Sequence, residues 1–421
     1  MQSKQQFCSL ISRIISRAAT AALAMAIVFA LTVVLTQSGQ AQTYTVLHDF
    51  TGGADGAVPF AGLTMDRAGN LYGTAGGDGA GGFGTVYKLQ NKGSGWVFSP
   101  LYSFAGGGDG ATPFAGVVFG PDGSLYGTTG NGGGNNAGTV FDLKPYPSAC
   151  KTALCPWTET VLYRFTGGSN GANPGYGDLV FDETGNIYGT TYQSVYELAR
   201  SNGGWTLNVI HNFGGGNDGS DAILSGVVFD ANGNLYGTTI EGGSYGNGTV
   251  YQLLPSGSGW TERVLHSFSG DDGTFPYGGV ILDQSGKLYG TTITGGANDG
   301  GTVFELIPTN GGWTFNVIYS FVGLGSTSGP GGNLAMDSAG NLYGATIRLG
   351  TGGLGNIFKL TRSDGGWVYT DLYDFTNYRD GANPSGGLIL DPNGNLYGTT
   401  MSGGGGNCGQ NGCGVVFELT P

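Results

Sequence analysis

From residue 43 onward, short apolar runs rich in aromatic and β-branched residues alternate with polar, glycine-rich breaks at a repeating interval. Between Pro59 and Phe104 the run Gly62-Leu63-Thr64-Met65 is followed by a polar break at residues 66–70 and then by Leu71-Tyr72-Gly73-Thr74, which predicts a hairpin. A glycine-rich loop leads to Thr85-Val86-Tyr87-Lys88-Leu89, and a second polar break leads to a strand from Trp96 to Phe104. One unit is therefore four short antiparallel strands. The tyrosine of the second strand returns at Tyr72, Tyr126, Tyr188, Tyr236, Tyr289, Tyr343 and Tyr397, at spacings of 54, 62, 48, 53, 54 and 54 residues. That length matches a propeller blade and is too long for one coil of a β-helix.

The fourth strand carries two aromatic landmarks. Phenylalanine closes it at Phe50, Phe104, Phe165, Phe213, Phe268, Phe321 and Phe375, and tryptophan opens it eight residues earlier at Trp96, Trp157, Trp205, Trp260, Trp313 and Trp367. Counting eight back from Phe50 reaches Gln42, so residues 43–50 read as a fourth strand with no strands of its own unit before it. The last unit ends after its third strand, Val415-Val416-Phe417-Glu418-Leu419. The expected fold is all-β: a seven-bladed β-propeller of four-stranded antiparallel blades, closed by the N-terminal strand pairing with the last blade, which removes two open edges.

Strand direction then sorts the connections onto two faces. The crossovers after each phenylalanine share a face with the loops between strands two and three. The Asp-x-x-Gly-Asn turns share the opposite face with the turns before each tryptophan. Two units depart from the repeat on the first of these faces: the interval from the tyrosine to the valine of the next strand shrinks at Tyr188 to Val195 and grows at Tyr397 to Val416. Blade 3 should be a notch and blade 7 a raised rim. A column of inner-strand glycines, Gly62, Gly116, Gly226, Gly279 and Gly387, is interrupted by Asp178 and Asn333, and a carboxylate there should face the central channel. The ligand-binding candidates are accordingly Tyr176, Asp178, Tyr192 and Gln193 near the notch, with Tyr378 and Arg379 across the ring; random divergence of repeats is the rival explanation.

Composition changes the picture in three ways. Residues 1–41 carry Lys4, Arg13 and Arg17, an apolar run from Ala18 to Leu35, and then Gly39-Gln40-Ala41, the layout of a signal peptide cut after Ala41; if it stayed uncut it would serve as a membrane anchor. The formal charge of −13 becomes −16 without that segment, which contains three of the 16 basic residues and none of the 29 acidic ones. So acidic a chain, with no basic stripe, excludes nucleic acid as a partner. Cys150 with Cys155 and Cys408 with Cys413 form two local pairs, expected as disulfides in an exported protein; they lie on opposite faces, which argues against a shared metal site. A monomer without cofactor or metal is expected.

Other polar landmarks read as structural. His48, His211 and His266 stand two residues before the phenylalanine, where the other units carry tyrosine, and they are too dispersed to serve one catalytic centre. Asp66, Asp182, Asp230, Asp283, Asp337 and Asp391 are placed to accept backbone N–H bonds in the hairpin turn. Asp230, Asn232 and Asn234 alternate oxygen groups as a calcium loop does, but no glutamate follows at the twelfth position. Asp55, Asp109, Asp218, Asp272 and Asp380 fall in the crossovers, where Asp-Gly turn chemistry accounts for them and an acidic mouth is the alternative. No nucleophile motif or phosphate loop is present.

The recurring elements aromatic-x-Phe, Asp-x-x-Gly-Asn-Leu-Tyr-Gly-Thr-Thr and Gly-Thr-Val-Phe-x-Leu, carried for instance by Asp230 to Thr239 and Gly301 to Leu306, resemble the GloVer (Gloeobacter and Verrucomicrobia) tandem repeats of exported bacterial proteins. The resemblance spans all seven units and implies a secreted or surface location without a specific activity. The family's C-terminal sorting anchor has no counterpart here, so release into the periplasm or medium is the expectation. Three functions fit these features: a secreted scaffold binding an extracellular glycan or protein on the face around blades 3 and 7; a polysaccharide lyase or hydrolase with Asp178 as acid or base; and a structural envelope component that binds divalent cations.

Overall fold

Seven antiparallel sheets of four strands account for every strand of the computed structural model, which describes residues 42–145, 157–201, 203–257, 259–323, 328–376 and 379–421. Blade 1 has strands a (Thr64–Met65), b (Leu71–Ala75), c (Thr85–Asn91) and d (Trp96–Ser103), and blades 2 to 6 repeat that order along the chain. Blade 7 takes strands a to c from Ile389–Leu390, Leu396–Thr400 and Val415–Thr420, while its strand d is Thr43–Asp49. The expected closure is therefore present, and it lies within the unit Tyr44–Thr420. The predicted signal segment, residues 1–41, and the pair Cys150 and Cys155 fall outside the described residues.

The Leu-Tyr-Gly motif exists because each blade must pack on both faces. Successive side chains of a strand point to opposite faces. Leu71 consequently packs with Phe50 and Val416 of blade 7, while Tyr72 packs with Val117 and Leu125 of blade 2. The glycine that follows makes room for the aromatic residue of strand c: a Cβ on Gly73 would lie 2.5 Å from the Tyr87 hydroxyl, and Gly127, Gly237 and Gly398 stand in the same relation to Phe141, Tyr251 and Phe417. The apolar core is thus divided into seven clusters, each assembled from two neighbouring blades.

Hydrogen bonds explain the polar part of the repeat. In blade 1, Asp66 Oδ1 accepts the N–H groups of Ala68 and Asn70, and Oδ2 accepts from the Asn70 side chain and the Tyr72 hydroxyl. Burial alone would raise the Asp66 pKa, but these four bonds prevail and lower it. Blade 2 has Gly120 in the aspartate position, and Asp122 takes over by bonding Ser124 N–H and the Tyr126 hydroxyl.

The crossovers use a second aspartate. Asp55, Asp218 and Asp272 accept from His48, His211 and His266 at 3.1, 3.0 and 2.9 Å, and Asp109 and Asp380 accept from Tyr102 and Tyr373. Each also accepts a backbone N–H of its own turn. The histidines are thereby placed as substitutes for the outer tyrosine. Those rings stack on the next blade in the pairs His48–Phe98, His266–Phe315, Tyr319–Tyr369 and Tyr373–Tyr44, with centroids 3.6 to 4.7 Å apart. Val58, Thr112, Asn173, Phe275 and Asn383 adopt positive φ immediately before a proline, and each donates its N–H to the b–c loop of the preceding blade. This disfavoured conformation is held by a bond that ties one blade to the next.

Candidate functional site

The centre of the ring is built where strand a of every blade begins. Gly62, Gly116, Asp178, Gly226, Gly279, Asn333 and Gly387 occupy equivalent positions, and a Cβ on Gly62 would meet the Gly387 carbonyl oxygen at 2.9 Å. A Cβ on Gly226 would meet the Asp178 carbonyl at 2.8 Å. Glycine is required because seven inner strands converge on one axis. At the two exceptions the side chain turns along the ring: Asp178 Oδ1 accepts Gly116 N–H at 2.7 Å, and Asn333 Oδ1 accepts Gly279 N–H at 2.7 Å. These bonds join blade 3 to blade 2 and blade 6 to blade 5.

Two residues earlier in each blade, toward the crossovers, lies a second layer formed by Phe60, Phe114, Tyr176, Leu224, Tyr277, Gly331 and Ser385. Phe114 and Tyr176 stack with centroids 5.1 Å apart, and Phe60 meets both edge to face at 5.8 and 5.5 Å. The channel mouth is consequently aromatic on the side of blades 1 to 3 and 5, and small-sided at Gly331 and Ser385. Between this collar and the glycine ring the channel holds a cavity of ≈ 40 Å³, lined by Tyr176 and Tyr277 as well as by Asp178 and Asn333. A water needs roughly 10–15 Å³ of such volume, so the cavity accepts a few waters or one small ion, and a sugar ring is too large.

The structure brings Tyr176 and Asp178 together in this channel and places Tyr192 and Gln193 elsewhere. The b–c loop of blade 3 is reduced to residues 191–193, as the shortened interval predicts; Tyr192 and Gln193 are exposed there and do not line the cavity. The Tyr192 carbonyl accepts Ala222 N–H from the crossover that leads to Leu224. Arg379 is exposed on the crossover into blade 7, and Tyr378 falls outside the described residues. Burial pushes the Asp178 carboxyl upward against the opposing Gly116 bond, as an acid–base group would need, yet the cavity it borders, ≈ 40 Å³, is too small for a sugar ring.

Sequence reasoning missed Phe60, Phe114 and Tyr277. Their position two residues ahead of the glycine column was the available signal, and it is diluted by Leu224, Gly331 and Ser385 in the other units. It also missed Asp221, which lies in the crossover beside Tyr277; burial raises its carboxyl, the Ile223 N–H opposes that, and Glu241 adds to it. All four aromatic side chains that are exposed among the described residues occupy the same loop face: Phe83, Tyr192 and Tyr245 in b–c loops and Phe275 in a crossover, at 46, 46, 65 and 39 % exposure.

Blade 7 carries the longest b–c loop of the ring. Its b–c loop, residues 401–414, carries the Cys408–Cys413 disulfide, packed so closely on Gly52 that a Cβ there would lie 2.5 Å from Cys408 Sγ. Cys413 is buried, and its carbonyl accepts Val58 N–H. Among the described residues no three of His, Cys, Asp and Glu are grouped to hold a metal ion, and no helix is long and apolar enough to cross a membrane.

The profile of the Gloeobacter/Verrucomicrobia repeat matches residues 28–194 and 193–411. The chain belongs to that family. No curated protein matches this Gloeobacter/Verrucomicrobia repeat protein in sequence. Among solved structures it is similar to a catalytically inactive virginiamycin B lyase from Staphylococcus aureus with quinupristin, at TM-score 0.57 and 13 % identity over 90 % of this chain and 99 % of that one. It is also similar to a streptogramin B lyase, at TM-score 0.55 and 12 % identity over 90 % and 97 % of the two chains. At such identity the likeness of the repeat protein to these lyases establishes the propeller fold alone.

Proposed function

We propose that the protein is a secreted binding scaffold whose loop face, from the aromatic channel mouth across the blade 3 notch, takes up an extracellular glycan. The observation that carries this reading is the segregation of exposed aromatic rings: Phe83, Tyr192, Tyr245 and Phe275 share the face on which Tyr176 and Tyr277 line the channel mouth. Exposed rings present flat apolar surface to the C–H face of a sugar, and Asp221 and Glu241 beside them supply acceptors for its hydroxyls. The lowered blade 3 loop leaves lateral access, while the disulfide-braced loop of blade 7 bounds the other side. Acidic side chains favour neutral or amino sugars over uronic acids. The Cys408–Cys413 disulfide supports an oxidising compartment for this activity.

The test is a glycan array followed by titration of hits. The expected result is a millimolar to micromolar ligand whose affinity falls about tenfold or more in Tyr192→Ala and Tyr277→Ala, about 1.4 kcal/mol for each factor of ten. Binding that survives both substitutions, or a ligand that instead requires the turn face, refutes the proposal.

A further inference from the structure

We infer that the central channel is a binding site for one small, hard metal cation, with Asp178 as its anionic ligand and main-chain carbonyls of the glycine ring as its neutral ones. The site shares its cavity with the mouth residues Tyr176 and Tyr277, but its ligands, Asp178 and the ring carbonyls, are not residues on which the glycan reading rests.

Four observations lead there. Asp178 spends one oxygen on the protein, Oδ1 accepting Gly116 N–H, and no hydrogen bond to Oδ2 is formed among the described residues, so that oxygen is left open to the channel. No Lys, Arg or His borders the cavity that this carboxylate faces. The carbonyls of Gly62, Asp178, Gly226, Asn333 and Gly387, each turned toward the ring residue of the next blade, take part in no main-chain hydrogen bond among the described residues. The cavity of ≈ 40 Å³ matches one ion with one or two waters.

A half-buried ionised carboxylate that lines a narrow channel without a counter-charge is costly, and an ion at the channel axis would lower that cost. Hard cations such as calcium take oxygen ligands, and mix carboxylate, carbonyl and water freely. The donor set is oxygen-rich, contains one negative charge and offers neither thiolate nor imidazole, which points away from zinc and copper. Asn333 gives its oxygen to Gly279 N–H, so it helps shape the ring and is not counted as a ligand. One carboxylate predicts a weak site, in the range of about 10⁻⁴ to 10⁻³ M typical of extracellular calcium modules. A net charge of −16 without residues 1–41 concentrates cations around the molecule.

Terbium is the probe, because Tyr176 and Tyr277 at the mouth can sensitise its emission. The full chain titrated with Tb³⁺ should show saturable luminescence that Ca²⁺ displaces, and Asp178→Asn, which retains an acceptor for Gly116 N–H, should lose it about tenfold or more. Asp391→Asn, a turn-face substitution, should leave it unchanged. Emission that persists in Asp178→Asn overturns the inference. As a readout independent of any variant, crystals of the unmodified protein soaked in Ba²⁺ should give an anomalous peak on the channel axis beside Asp178; a channel without such a peak, or with a peak only on the acidic surface, overturns it equally. Glycan binding can fail with this site intact, and the reverse, so the two results are separable.

Discussion

The Asp49 carboxylate accepts the backbone N–H of Gly405 at 2.7 Å, although the two residues are 356 positions apart in the chain. This bond belongs to a clasp in which Phe50 N–H donates to Gly414 and Asn407 N–H donates to Thr51, while the ring of Tyr44 stacks on Tyr373. The long b–c loop of blade 7 therefore grips the first strand of the ring, and its disulfide stiffens the grip. Truncation to residue 51 should lower the melting temperature by more than deletion of the exposed residues 244–246 in the blade 4 b–c loop. Equal melting of the two proteins in a thermal scan would show that the first strand is dispensable.

Reduction acts on the same contact. Replacing both Cys408 and Cys413 by serine closes no loop in the unfolded chain and puts a hydroxyl at the buried Cys413 position, so a loss of roughly 2–3 kcal/mol is expected. Urea denaturation of the variant, compared with the parent in the presence and absence of a reductant, measures it; the variant should be insensitive to reductant at this site.

Strand c offers a stabilising change. The hydroxyls of Tyr87, Tyr196 and Tyr251 are buried without a hydrogen-bond partner, and burial raises their pKa values. The equivalent residues Phe141, Phe304, Phe358 and Phe417 fill the same space without the hydroxyl. Each Tyr→Phe replacement should add about 1 kcal/mol to the unfolding free energy, read as an increase in the denaturation midpoint at constant slope.

Glu159 and Glu262 set the response to alkaline pH. They stand in strand d two residues after the tryptophan, where other blades place Phe98, Phe315 and Tyr369. Burial, with Asp109 and Asp142 adding to it and Arg164 opposing, pushes Glu159 up to about 7; burial and then Asp218 push Glu262 up to about 7. A carboxyl whose folded pKa is raised contributes its full stability below the unfolded value near 4.5 and loses it as pH rises to about 7. Glu159→Gln with Glu262→Gln should therefore leave stability at pH 4 almost unchanged and raise it at pH 8 by an order of 1 kcal/mol, after allowance for solvent screening.

On the acid side the sign reverses. Asp66, Asp122, Asp182, Asp230, Asp283 and Asp337 have lowered pKa values because hydrogen bonds outweigh burial. Their contribution is complete above the ordinary value of 3.8 and disappears as pH falls through the lowered folded values. Asp66→Asn should flatten this acid limb and cost about 1–2 kcal/mol at pH 7, since an amide cannot accept all four bonds well.

Much of the architecture was legible because the determinants are local and repeated. The Trp and Phe of strand d mark its two ends, and their truncated first copy at Phe50 disclosed the closure. Asp178 was legible as an interruption of a glycine column, since only one residue type fits the other positions. The collar was obscured because Phe60, Phe114 and Tyr277 acquire a shared role only when distant strands converge, and nothing in their own units marks them. Tyr192 and Gln193 were grouped with Asp178 by sequence proximity, whereas the radius of the ring separates channel from rim. The role of the Cys408–Cys413 loop as a brace on Gly52 depends on contacts between opposite ends of the chain, which spacing alone does not reveal.

In six blades the chain itself continues from strand c to strand d, whereas in blade 7 Val415–Thr420 and Thr43–Asp49 pair without such a link, held by the sheet and the loop clasp. Polypeptide continuity at that one seam is thus dispensable, and the location of the seam is arbitrary with respect to the sheet hydrogen bonds. Circular permutants opened at the Asn310–Gly311 turn of blade 5, with the present ends joined by a short linker, should assemble the same ring, which makes the protein a frame into which a guest domain could be spliced at several equivalent points.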